Sequence, residues 1–115
     1  MPTLQIFTNV KEGEFPDGFF AGLSSVFQKA IGKPEKYICI HVVPNQMMSF
    51  GGSTELCAIA NVTSIGKLGV EENKVLTQVI TTEMLKIGVN ADRMYVVFRD
   101  AARQDIGWNN TTFAS

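Results

Sequence analysis

Two stretches of this chain repeat one pattern, and that repeat most narrows what it can fold into. I-G-K-P-E-K-Y-I-C-I at 31–40 and I-G-V-N-A-D-R-M-Y-V-V at 87–97 each run from an Ile-Gly pair through an acidic and a basic residue to a tyrosine and a β-forming run. An apolar stripe at helical spacing precedes each. In the first half it is Phe19, Phe20, Leu23, Val26, Phe27, Ala30 and Ile31, with Asp17 as a candidate cap; Gly32 stops the helix and Pro34 prevents its restart. In the second half it is Val75, Leu76, Val79, Ile80, Met84, Leu85 and Ile87, opened by Glu71 and Glu72 and stopped by Gly88. Strands are expected at 3–8 (T-L-Q-I-F-T) and 56–65 before the helices, and at 37–43 and 93–99 after them. The tail from residue 100 has no strong period. The chain therefore reads as one α/β (α+β) domain over 1–115. Two pseudo-symmetric β-α-β units form a four-stranded sheet with two helices on one face.

That architecture leaves the second sheet face to explain. In 37–43, Ile38, Ile40 and Val42 point one way and Tyr37, Cys39 and Val43 the other. Strands apolar on both sides are normally covered on both sides. Either a second copy covers the open face, making a homo-oligomer, or the tail folds across it. Charge excludes other partners. Ten basic and eleven acidic residues are interspersed, so there is no basic stripe for nucleic acid. The apolar runs are strand-sized, so no membrane span is expected, and the N-terminus lacks a secretory signal pattern. Two cysteines, Cys39 and Cys57, make no disulfide framework, which points to a reducing compartment.

Most catalytic signatures are missing. His41 is the one histidine and lies within a strand, and no cluster offers three or four metal ligands. Gly51-Gly52-Ser53 and Gly66-Lys67 do not fit a phosphate loop and read as turns. Cys57-Ala58-Ile59-Ala60 lacks the second cysteine of a dithiol motif. The remaining oddity is the Met1-Pro2 start. Proline donates no ladder hydrogen bond and is tolerated at a strand's first residue. It is also small enough that the initiator methionine is commonly trimmed before it. The freed secondary amine could then act as a base.

Taken together, P-D-G-F at 16–19, G-K-P-E-K-Y-I-C-I-H-V-V-P-N-Q at 32–46, S-F-G-G-S at 49–53, S-I-G-K-L-G at 64–69, D-R-M-Y-V at 92–96 and G-W-N-N-T-T-F-A at 107–114 resemble the macrophage migration inhibitory factor family of the tautomerase superfamily, nearly end to end. The resemblance implies the β-α-β-β-α-β plan already read from the repeat, and a homotrimer. It also implies keto–enol tautomerisation of a small aromatic 2-keto acid of the phenylpyruvate or dopachrome type, without metal or organic cofactor. By position, Pro2 would be the catalytic base after loss of Met1, and Lys33 would hold the substrate carboxylate and lower the amine pKa. The Ile65 N–H, beside Ser64, would meet the same carboxylate. Tyr37, Tyr95, Val97, Ile106, Trp108 and Phe113 fall at wall positions, part of the wall coming from a neighbouring subunit. Val97 stands where the family often has asparagine, and Thr3 and Thr63 also depart near the pocket; substrate preference is therefore open. A second role is implied as well: a cytokine-like ligand for a cell-surface receptor, cytoplasmic and also exported without a signal peptide.

Overall fold

Burial alternates along T-L-Q-I-F-T, with Leu4, Ile6 and Thr8 fully buried and Thr3, Gln5 and Phe7 half-covered on the opposite side. This one-sided pattern shows that the strand lays one face on the core. The computed structural model describes residues 1–114. Its strands are β1 (Thr3–Thr8), β2 (Cys39–Val43), β3 (Ala58–Ser64) and β4 (Met94–Asp100), and its main helices are α1 (Phe19–Ile31) and α2 (Val70–Leu85). A short hairpin follows, with β5 at Gly107–Trp108 and β6 at Thr111–Thr112. The large sheet has the order β2-β1-β3-β4. β1 runs parallel to β2 and β3 parallel to β4, while β1 and β3 meet antiparallel at the centre. Each parallel pair is joined through a helix, so the two expected β-α-β units are present.

Both helices pack on the same face. Leu23, Phe27 and Ile31 of α1 and Leu76, Ile80 and Met84 of α2 meet Leu4, Ile6, Ala58, Ala60 and Val62 in one core. Burying each large aliphatic or aromatic chain contributes about 1.5–3 kcal/mol. The alanines of β3 allow the close approach of the helix layer. Both helical stripes were read too broadly from the sequence: Phe20, Val75 and Leu85 are exposed, because only about three positions per two turns can face a flat sheet.

The repeat is closer in structure than in sequence. Gly32 and Gly88 both take positive φ, at 71° and 98°. Each is followed by a one-turn 3-10 helix, Glu35–Tyr37 and Ala91–Arg93, entered through Pro34 and Asn90. Tyr37 is thus the counterpart of Arg93, and the two tyrosines of the sequence echo are not equivalent. These turns also shorten the expected strands, so that β2 starts at Cys39 and β4 at Met94. Arg93 stays out of its strand because its guanidinium serves the carbonyls of Phe50, Ser53, Glu55 and Leu56 at 3.0–3.2 Å. The chain 56–65 is a strand only over Ala58–Ser64. Asp17 makes no cap, since the cap position falls to Gly18.

The second sheet face is open in the single chain. Ile59, Tyr95 and Val97 are exposed on it, but Gln5, His41, Asn61 and Arg99 lie among them. It is less uniformly apolar than strand 37–43 suggested.

Candidate active site

The start of β1, the turn after α1, the end of β3 and the C-terminal hairpin converge on one cavity of about 220 Å³. Gly32 closes α1 in the left-handed region, its N–H donating to the Gln28 carbonyl, and so turns Lys33 back toward the sheet. The Lys33 ammonium donates to the Ile65 carbonyl at 2.8 Å. Pro34 holds φ at −62°, which suits entry to the turn that presents the Tyr37 ring. The opposite wall comes from the hairpin. Asn109 and Asn110 take φ of 52° and 68°, the two positive angles of a tight hairpin turn that asparagine tolerates. The turn sets Trp108 and Phe113 in a stack 5.7 Å apart, with Tyr37 edge-on to both at 5.1 and 5.9 Å. Such ring pairs add about 0.5–1.5 kcal/mol each beyond area burial.

The first residues lie at the same place. Met1 lines the cavity, and Pro2 is fully buried, its carbonyl accepting from the Cys39 N–H at 3.1 Å. Proline suits this position because it needs to give no hydrogen bond of its own. The Met1 α-amino group is pushed below its ordinary pKa of 8.0, first by burial and then by the Lys33 charge. Among the described residues the cavity is lined by two cations, Lys33 and Arg103, and by no acidic side chain.

Of the residues singled out in the sequence, Lys33, Tyr37, Ile65 and Phe113 line this cavity, and Trp108 stacks on its wall. Ser64 does not. It continues the inward row of Ala58, Ala60 and Val62, is fully buried, and its hydroxyl has no hydrogen-bond partner among the described residues. Ile106 sits at the hairpin base, its carbonyl accepting from the Phe113 N–H. Tyr95 and Val97 lie apart on the open sheet face, where Tyr95 packs against Phe50 at 5.0 Å and is 65% exposed. Within one chain they do not reach the cavity. Arg103 was missed: it lies in the tail that showed no period, and only the folding of that tail brings it to the cavity. The hairpin had a readable signal in Asn109-Asn110 between β-forming residues.

A two-fold β-α-β sheet whose cavity gathers the chain start, a lysine and a cluster of aromatic rings has the fold of the tautomerase superfamily. The model of the macrophage migration inhibitory factor (MIF) family matches residues 1–114. The factor of Xenopus tropicalis is 42% identical over 115 residues, covering 99% of this chain and all of the relative. That of Mus musculus is 36% identical over the same shares. The solved structure of the Trichinella spiralis factor superposes with a TM-score of 0.91 at 31% identity, covering 96% of this chain and 99% of that one. The chain belongs to the macrophage migration inhibitory factor family, a family that carries tautomerase activity.

Proposed function

We propose that this chain, once Met1 is removed, is a tautomerase of aromatic 2-keto acids of the phenylpyruvate or dopachrome type. The observation that carries the reading is the environment of the N-terminal amine. With Met1 in place, burial and the Lys33 charge already lower its pKa. Loss of Met1 moves the amine one residue inward, to Pro2, whose ring is buried against the start of the sheet, and an apolar setting with a cation nearby disfavours the charged form of an amine. A secondary amine kept neutral at physiological pH is matched to taking a proton from the carbon alpha to a carbonyl. The resulting ammonium returns that proton to the enolate oxygen, and in the reverse direction the amine takes the enol O–H proton and delivers it to the alpha carbon, so the reaction is redox-neutral and needs no second base.

The other residues fit supporting roles. Lys33 has the charge to hold the substrate carboxylate, and its bond to Ile65 fixes where that charge lies. Tyr37, Trp108 and Phe113 give an apolar rest for an aromatic ring. The family is typically trimeric, and a trimer offers a way for Tyr95 and Val97 to complete the wall of a neighbouring site. The test joins intact-mass measurement of the N-terminus with a phenylpyruvate assay. Processed protein should turn over substrate and Met1-bearing protein should not; equal rates would overturn the assignment. The cytokine-like reading rests on family membership alone, and a receptor-binding measurement on Pro2→Gly separates it from catalysis.

A further inference from the structure

Arg103 stands outside the roles assigned so far. It opens the 3-10 turn Arg103–Asp105, which connects β4 to the hairpin, and it lines the same cavity as Lys33. No ion pair or hydrogen bond holds its guanidinium among the described residues, whereas Arg93 and Arg99 are both engaged by carbonyl or amide oxygens. The Lys33 ammonium, by contrast, is anchored on Ile65. The cavity thus combines one fixed cation, one unengaged cation, two lining rings, Tyr37 and Phe113, with Trp108 packed against both, and no lining carboxylate among the described residues to neutralise either charge. Lys33 supplies one positive charge, enough to balance a single substrate carboxylate. A second cation beside an apolar ring wall suits a substrate with a second anionic group, and a guanidinium binds a carboxylate through two parallel hydrogen bonds.

We propose that Arg103 is a specificity-determining residue that selects 2-keto acids carrying a second carboxylate on the ring or chain remote from the keto acid end. This rests on the tautomerase reading above and deepens it by naming the substrate class.

The test compares phenylpyruvate with 4-carboxyphenylpyruvate on processed wild type, Arg103→Gln and Arg103→Lys. The ratio of kcat/KM for the dianion to that for the monoanion should fall about tenfold in Arg103→Gln, the scale of a hydrogen bond to a charged group. The loss should sit in KM, and Arg103→Lys should keep part of the preference. In the wild type the ratio should also shrink as ionic strength rises, because the contact is open to solvent. A ratio unchanged in Arg103→Gln overturns the proposal, whether both substrates suffer equally or neither does. Calorimetric binding of phenylacetate and 4-carboxyphenylacetate, which do not react, separates this from the base assignment. If neither keto acid is isomerised but the dianion still binds more tightly by way of Arg103, the base reading fails and the selectivity stands. If the two ligands bind wild type and Arg103→Gln with one ratio, the selectivity fails regardless of turnover.

Discussion

The Lys33 ammonium hydrogen-bonds the Ile65 carbonyl at 2.8 Å, and this single contact ties the C-terminal end of α1 to the C-terminal end of β3 beside the first residues of the chain. A lysine after a helix stop is ordinarily a solvated end. Here its charge is held close enough to the N-terminal amine to lower that amine's pKa. The contact therefore links a backbone event, the Gly32 cap, to the acid–base character of the N-terminal amine.

That link gives a pH prediction. Catalysis on the proposed reading needs the neutral amine, so the acidic limb of the kcat/KM profile reports its pKa. In the Met1-bearing chain burial first and then the Lys33 charge lower the pKa of the terminal amine, and a nearby cation disfavours a Pro2 ammonium in the same way. Lys33→Ala should therefore move the acidic limb to higher pH, and should weaken anionic substrates more than neutral ones. A pH–rate series on both proteins decides it; an unmoved limb would place Lys33 too far away to tune the amine.

The Pro2 prediction is independent of Lys33. Pro2→Gly should cut turnover of phenylpyruvate by about 100-fold or more, the lower range for losing a positioned general base. Retained Met1 should do the same, since an amide nitrogen has no basic lone pair. Far-ultraviolet circular dichroism should be unchanged in both, because the Pro2 contact to the sheet is through its carbonyl, which glycine also supplies. Full activity in a protein whose mass includes Met1 would refute the role.

The sheet, the helices and their pairing were legible because period-2 and period-3.6 patterns are local, and because Gly32 and Gly88 punctuate them. Strand ends were less legible. Tyr37 and Arg93 look like strand residues by type, but the 3-10 turns that hold them are set by hydrogen bonds to Pro34 and Asn90. Lys33, Tyr37, Ile65 and Phe113 of the candidate cavity were named through the family resemblance, since no local pattern marks any of them as lining a site. Arg103 was not, because its place depends on how an aperiodic tail folds back, and no local pattern encodes that. Ser64 shows the opposite difficulty. Its position beside Ile65 suggested a pocket residue, yet strand alternation turns its side chain inward.

Ser64 carries a stability prediction. Its hydroxyl is fully buried without a partner among the described residues, and such a group costs about 1–3 kcal/mol in desolvation. Ser64→Ala removes the cost and leaves only a small void. Met1-bearing protein should become more stable by about 1 kcal/mol, raising Tm by roughly 4 °C for a chain of this length. Urea unfolding of the two forms measures it. A destabilised alanine variant would show that the hydroxyl gains a partner in solution.

The open face of the sheet sets the last test. In register, Ile59 of β3 stands opposite Tyr95 of β4, and Asn61 opposite Val97, so one exposed patch carries both β4 wall candidates. Tyr95 is 65% exposed although its ring packs on Phe50, and an exposed patch of this kind marks an interaction surface. If three chains assemble, this patch is covered and Tyr95 is delivered to the cavity of a neighbour. Sedimentation equilibrium at micromolar concentration should then give three times the chain mass. Sharing of sites predicts more than assembly. Pro2→Gly protein supplies an intact Tyr95 and Tyr95→Ala protein an intact Pro2. Refolding the two together should create hybrid sites that hold both groups, so activity should exceed the sum of the parents. Tyr95 acting within its own chain predicts no gain on mixing, because every site would then keep one defect. A trimer without complementation would therefore limit Tyr95 to the interface, and a monomer would remove it from the site altogether.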